Sequence, residues 1–260
     1  PKVVVPVHFA GQSCDMEAIH KLSKQYGFHI IEDASHAIGG SYQEQPVGCC
    51  EYSDITVFSF HPVKIVTTGE GGMAVTNNDV LSSKMRRLRS HGITRDASEM
   101  THEADGPWYY QQLELGFNYR MTDLQAALGV SQLNSLANYI VRRNQLACQY
   151  TEAFAELPIS VQSIAPEAMS AYHLYVIRVP SNIHLSIFKA LRGFGIGANL
   201  HYIPVHLQPY YQQLGFKSGS YPEAEKYYQE AISIPMYPTL SDAKQQEVVD
   251  AVSQALSSCY

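Results

Sequence analysis

The chain has 260 residues, 45% of them hydrophobic and 16% charged, the composition of an ordinary globular protein. A formal net charge of −6 argues against a surface built for nucleic acid, and no apolar run approaches the roughly 20 residues that cross a bilayer. Five cysteines with no CxxC pair and 11 singly scattered histidines give neither a disulfide framework nor a metal site, and no charged-then-apolar leader is present, which predicts a cytoplasmic protein.

In chain order, residues 1–7 (PKVVVPV) read as a core strand at the very start, so the chain is expected to open in the middle of a fold. Residues 15–26 predict a helix capped by Asp15 and closed by Gly27. Phe28, Ile30 and Ile31 read as a short buried strand with Asp33 just beyond its carboxyl end. A connector around residues 42–47 leads to an apolar strand that runs into a loop carrying Lys64, and a glycine-rich turn then precedes a strand at 72–76. A helix is expected over 78–89, an irregular stretch over 90–115, and one long helix from Thr122 to about Phe154, long enough to bridge two domains. Further on, a strand at 172–179, a helix near 186–194, a strand around 196–202 and a helix over 242–256 would build a small α+β domain. Strands alternating with helices predict an α/β fold with a mostly parallel sheet, divided into 1–140 and 141–260, with ligands at the carboxyl ends of the strands.

Lys64 and Asp33 are the informative residues. An ammonium at the end of a core strand is costly to desolvate unless its charge is used or its pKa is lowered, and a lowered pKa makes the amine nucleophilic. A lysine and a carboxylate on neighbouring strand ends form the pair a pyridoxal phosphate enzyme needs, one for the Schiff base and one to keep the pyridine nitrogen protonated. Taken singly, a lysine after a strand is usually a solvated loop residue, and an aspartate there is often a helix cap. Ser59 and His61 flank the lysine, His36 follows Asp33, and both segments end in glycines that let backbone approach a ligand closely.

With Asp33 and His36, Ser59 and Lys64, TTGEGG, SHGITRD (90–96), LGFNYRMTDLQAALG (115–129) and HYIPVHLQPYY (201–211), the sequence resembles the DegT/DnrJ/EryC1/StrS sugar aminotransferases over essentially its whole length. Within that family it is most similar to the branch that acts in pseudaminic acid biosynthesis. The resemblance implies the type I fold of pyridoxal-phosphate-dependent transferases, similar to aspartate aminotransferase. It also implies a homodimer with shared sites, and transfer of an amino group from glutamate to C4 of a UDP-linked 4-keto-6-deoxy-N-acetylhexosamine. Lys64 would form the Schiff base and Asp33 would meet the pyridine nitrogen. Ser59 would bind the cofactor phosphate, Asn118 would reach the phosphate of the neighbouring subunit, and His36 would stand beside the phenolic oxygen where many relatives have Gln. Arg120, His201 and Tyr202 would contact substrate, and Glu70 would shape the turn.

Against the family pattern, roughly the first third is absent. The expected consequences are an uncovered sheet edge, uncovered apolar surface, and no helix N-terminus within residues 1–60 to receive the phosphate. Two readings follow: an aminotransferase for this or another nucleotide-linked keto sugar, or a shortened non-catalytic relative that serves as a binding or dimerisation module.

Overall fold

The computed structural model describes residues 1–259. They divide into two compact units, one of Pro1–His8, Ser13–Ile38 and Gln45–Leu136, the other of Phe9–Gln12, Gly39–Glu44 and the chain from Ala137 onward.

In the first unit, α1 (Met16–Tyr26) starts where the Asp15 carboxylate accepts the Ala18 N–H at 3.1 Å. It stops at Gly27, whose left-handed φ of 72° turns its N–H onto the Ser23 carbonyl, as the sequence signals predict. The sheet runs in the order β1 (Val3–Val4), β2 (His29–Asp33), β3 (Ile55–Ser59), β4 (Gly72–Val75). β1, β2 and β3 are parallel, and β4 is antiparallel to β3. The sheet is therefore mixed, because a loop without a crossover helix returns the chain directly beside β3. The strand expected over 1–7 is regular only at Val3–Val4, with an isolated bridge from Val7 to Asp33 continuing its line. Along β2 the even residues Ile30 and Glu32 are buried and Asp33 is only partly so, the two-residue period of a strand.

Beyond β4, α2 (Asp79–Arg89) is capped by the Asn78 side chain, which accepts the Leu81 N–H at 3.1 Å. The stretch expected to be irregular contains a short hairpin, β5 (Ile93–Thr94) against β6 (Gln111–Gln112). α3 (Asp123–Leu133) opens on a reciprocal capping box between Thr122 and Gln125. This unit shows much apolar surface: Met73 is 52% and Leu124 86% exposed.

The long helix expected from Thr122 to about Phe154 is two helices, α3 and α4 (Leu136–Ala153). Asn134 and Ser135 break it, with the Ser135 N–H tightened onto the Gln132 carbonyl.

The second unit pairs β7 (Ser160–Val161), β8 (Tyr175–Arg178) and β9 (Ala231–Ile234) antiparallel, with β8 in the middle. α4, α5 (Ser181–Gly193) and α7 (Asp242–Ser257) supply its core, and α6 (Pro222–Glu230) leads into β9. Leu146, Tyr150, Tyr175, Ile177, Ile187 and Ile232 are all within 1% of complete burial, each stabilising by about 1.5–3 kcal/mol. α5 begins five residues before the expected start, directly after Pro180. The strand expected at 196–202 is only a bridge, in which Asn199 and Ser233 exchange both backbone hydrogen bonds (3.0 and 2.8 Å).

Candidate active site

Asp33 is the last residue of β2 and lies opposite Val57 of β3 in register. Its backbone is held on both sides: its N–H donates to the Pro6 carbonyl (2.9 Å), its carbonyl accepts the His8 N–H (3.0 Å), and the next N–H, of Ala34, donates to Val57 (2.9 Å). The chain then turns tightly, with the Ala37 N–H on the Ala34 carbonyl and the Ser35 N–H on the Asp33 carboxylate at 3.0 Å. His36 sits in this turn and is buried, 7% exposed.

Ser59 ends the adjacent strand, so both strands deliver their polar residues at carboxyl ends. Residues 60–71 then fold back on themselves. The Phe60 N–H donates to the Gly71 carbonyl, the Phe60 carbonyl accepts the Thr68 N–H and the Thr67 hydroxyl, and the Lys64 N–H donates to the His61 carbonyl. Ile65 and Val66, 5% and 0% exposed, anchor the loop immediately after the lysine. The Glu70 carbonyl accepts the Thr68 hydroxyl (2.8 Å) and the Gln125 amide (2.9 Å), and its exposed carboxylate stands 3.9 Å from His61, so Glu70 does shape the turn. Gly71 has no room for a side chain, since a Cβ there would run into the Thr68 hydroxyl and the Met121 methyl.

Burial lowers the Lys64 pKa below that of an ordinary lysine, and the Asp33 carboxylate acts in the opposite direction. The amine is thus half-sheltered and within electrostatic reach of Asp33. An amine of lowered pKa in the loop after one strand, a carboxylate at the end of the next and the Ser59 hydroxyl fit pyridoxal phosphate: a nucleophile for its aldehyde, an anion for its ring nitrogen and a donor for its phosphate.

The remaining candidates are on other segments of the chain. Asn118 makes a backbone bridge to Ser90, and Asn118 and Arg120 have exposed side chains. His201 and Tyr202 belong to the second unit, where His201 Nδ1 lies 2.8 Å from the Ser233 hydroxyl and the Tyr202 ring packs edge-on to Phe9. The sequence analysis gave no part to Glu32, whose buried carboxylate gathers hydrogen bonds beneath the Asp33 strand end; its signal was a carboxylate at a core-facing position of an apolar strand. Among the described residues no group of three His, Cys, Asp or Glu side chains is placed to hold a metal ion, and no helix is long and apolar enough to cross a membrane.

An α/β unit with a sheltered lysine and a carboxylate at adjacent strand ends defines the class, that of pyridoxal-phosphate aminotransferases. The chain belongs to the DegT/DnrJ/EryC1/StrS aminotransferase family, whose model matches residues 1–253. Over 258 residues it is 39% identical to the Bacillus subtilis spore coat polysaccharide biosynthesis protein SpsC, covering 96% of this chain and 66% of that protein. Helicobacter pylori PseC, an aminotransferase of pseudaminic acid biosynthesis, superposes with a TM-score of 0.90 at 32% identity, covering 99% of this chain and 67% of that one. A sugar aminotransferase of Streptococcus pneumoniae, Spr1654, superposes in its PMP form with a TM-score of 0.90 at 30% identity, covering 100% of this chain and 70% of that one, and is also known in a PLP form. The chain therefore spans about two thirds of the length of the relatives it matches.

Proposed function

We propose that the protein transfers an amino group from glutamate to C4 of a UDP-linked 4-keto-6-deoxy-N-acetylhexosamine, with pyridoxal phosphate as cofactor. The observation that carries this reading is the Lys64 amine, its pKa lowered by burial against the opposing effect of the Asp33 carboxylate. When bound, pyridoxal phosphate supplies a reactive aldehyde and an electron-accepting ring through which an amino group passes from donor to acceptor. Lys64 Nζ is the group that would hold its aldehyde carbon. With the donor bound, Nζ would take the proton from the α-carbon of glutamate and later deliver one to the sugar C4, a role that needs an amine neutral near pH 7. Asp33 would keep the ring nitrogen protonated, and its fixed strand position would make that interaction preorganised. Ser59 would donate its hydroxyl to the phosphate, Asn118 would serve the phosphate of a partner subunit in a homodimer, and His36 would serve the phenolic oxygen. Arg120, His201 and Tyr202 contact the nucleotide sugar, Arg120 by its planar fork.

Likeness to PseC in structure supports the pseudaminic acid branch, and likeness to SpsC in sequence supports a second substrate reading, another nucleotide-linked keto sugar used for polysaccharide. The test is a visible absorption scan of the purified protein with pyridoxal phosphate, followed by borohydride reduction and peptide mapping. An absorption band that glutamate discharges before reduction is expected, with the reduced adduct on Lys64. Label spread over surface lysines would overturn the assignment.

A further inference from the structure

Beneath Asp33, on the other face of β2, lies a buried polar cluster that the proposed chemistry does not use. His8 is 0% and Glu32 5% exposed, and the His8 Nε2 is 2.6 Å from a Glu32 oxygen. The Cys14 N–H donates to His8 Nδ1 at 3.2 Å. A backbone N–H can only donate, so Nδ1 is the acceptor and the ring proton sits on Nε2, facing the carboxylate. The second Glu32 oxygen accepts the Thr56 hydroxyl at 2.8 Å and the Ser53 hydroxyl. Burial works against the charge on Glu32, and these three donors outweigh it, holding the carboxyl below its ordinary pKa.

The cluster ties together three segments at one level. His8 follows the β1 line, Glu32 is in β2 and Thr56 in β3. The same three segments meet at Asp33 through its backbone, by Pro6 and His8 on one side and Val57 on the other. Successive residues of a strand point to opposite faces, so fixing the Glu32 side chain fixes the rotation of the strand end and with it the direction of the Asp33 carboxylate. An isolated buried carboxylate would be strongly destabilising, and this one is retained with every donor satisfied.

We infer that His8 and Glu32 are positioning residues for the reaction, a buried pair that aims the Asp33 carboxylate at the site shared with Lys64. The inference rests on the reading of Asp33 and Lys64 given above and adds to it the groups that hold the geometry.

Because the Asp33 charge raises the Lys64 pKa against burial, the pH at which Lys64 becomes acylable reports where that charge lies. Competitive acetylation of the whole chain over a pH series, read by peptide mass spectrometry, needs neither cofactor nor turnover. Asp33→Asn should move the Lys64 midpoint to lower pH. His8→Ala, which leaves both carboxylates in place, should move it in the same direction, and His8→Gln, whose amide nitrogen can reach the position of Nε2, should restore it. If His8→Ala does not fold, Ser53→Ala decides: it removes one hydroxyl donor from a half-buried position and should give a smaller shift of the same sign. A shift in Asp33→Asn with none in the His8 or Ser53 variants would overturn the positioning role alone. No shift in Asp33→Asn would overturn the pairing of Asp33 with Lys64, and this inference with it.

Discussion

Arg143 gives a prediction whose size can be worked from the structure. It is 4% exposed on α4, yet among the described residues it pairs with no carboxylate; its guanidinium donates to the carbonyls of Tyr172 (2.9 Å), Met236 (3.1 Å) and, at a marginal 3.4 Å, His173. Burial pushes its pKa down from 12.5 to about 10, which corresponds to about 3 kcal/mol of disfavoured charge. Arg143→Met removes that cost and keeps an unbranched apolar stem in the core. It also strands two well-bonded buried carbonyls, each costing about 1–3 kcal/mol, and loses bonds from a charged donor worth more than neutral ones. The stranded acceptors outweigh the relieved charge, for a net loss of about 2 kcal/mol. Urea unfolding should show this as a lower midpoint at unchanged slope. A variant as stable as the parent, or more so, would mean that desolvation dominates and that the guanidinium is a liability to the core.

Four other outcomes are expected. Lys64, with its lowered pKa, should be acetylated at lower pH than the exposed Lys21 or Lys244, whose carboxylate partners raise theirs; equal midpoints would contradict a sheltered amine. Lys64→Ala should lose the borohydride-fixed adduct and transamination entirely, and Asp33→Asn should retain the adduct while turnover falls severely, by at least the 10²–10⁴-fold typical of a lost acid–base or charge-stabilising group. Glu225, pulled down to about 2 by hydrogen bonds from His206, Ser218 and the backbone, contributes stability that is complete above its unfolded value near 4.5 and lost as pH falls toward 2; Glu225→Gln should flatten that part of the acid-unfolding curve. Gly92, at a φ of 71° with the Glu114 carbonyl where a Cβ would go, should not tolerate alanine: hairpin protection in hydrogen exchange should fall while α7 stays protected.

The elements that sequence patterning identified are those whose determinants are local. Asp15 and Gly27 mark the ends of α1 by their own chemistry, and the strand ends at Asp33 and Ser59 follow from short apolar runs interrupted by polar residues. What periodicity could not see is where a pattern is interrupted. Asn134 and Ser135 separate one apolar pattern into α3 and α4, and the β-prone stretch at 196–202 makes a single bridge. The antiparallel β4 was hidden for another reason: strand direction depends on the path of the Lys64 loop, which is closed by the Phe60–Gly71 and Thr68–Phe60 bonds rather than by any propensity. Glu32 was passed over because a carboxylate in a buried strand becomes legible only once its three donors, 24, 21 and 24 positions away, are in place.

The choice between an enzyme and a binding module turns on energetics at the strand ends. A module that only needed a surface has no use for an amine sheltered enough to lower its pKa, since burying an ammonium costs free energy that a leucine or a solvated lysine would not. The same holds one layer down, where Glu32 and His8 occupy core volume that apolar side chains of similar size would fill at less cost. Glu32 directly precedes Asp33 in β2, and the Asp33 backbone is bonded on both sides. A buried, fully hydrogen-bonded charge next to Asp33 is the pattern expected where geometry is held for chemistry.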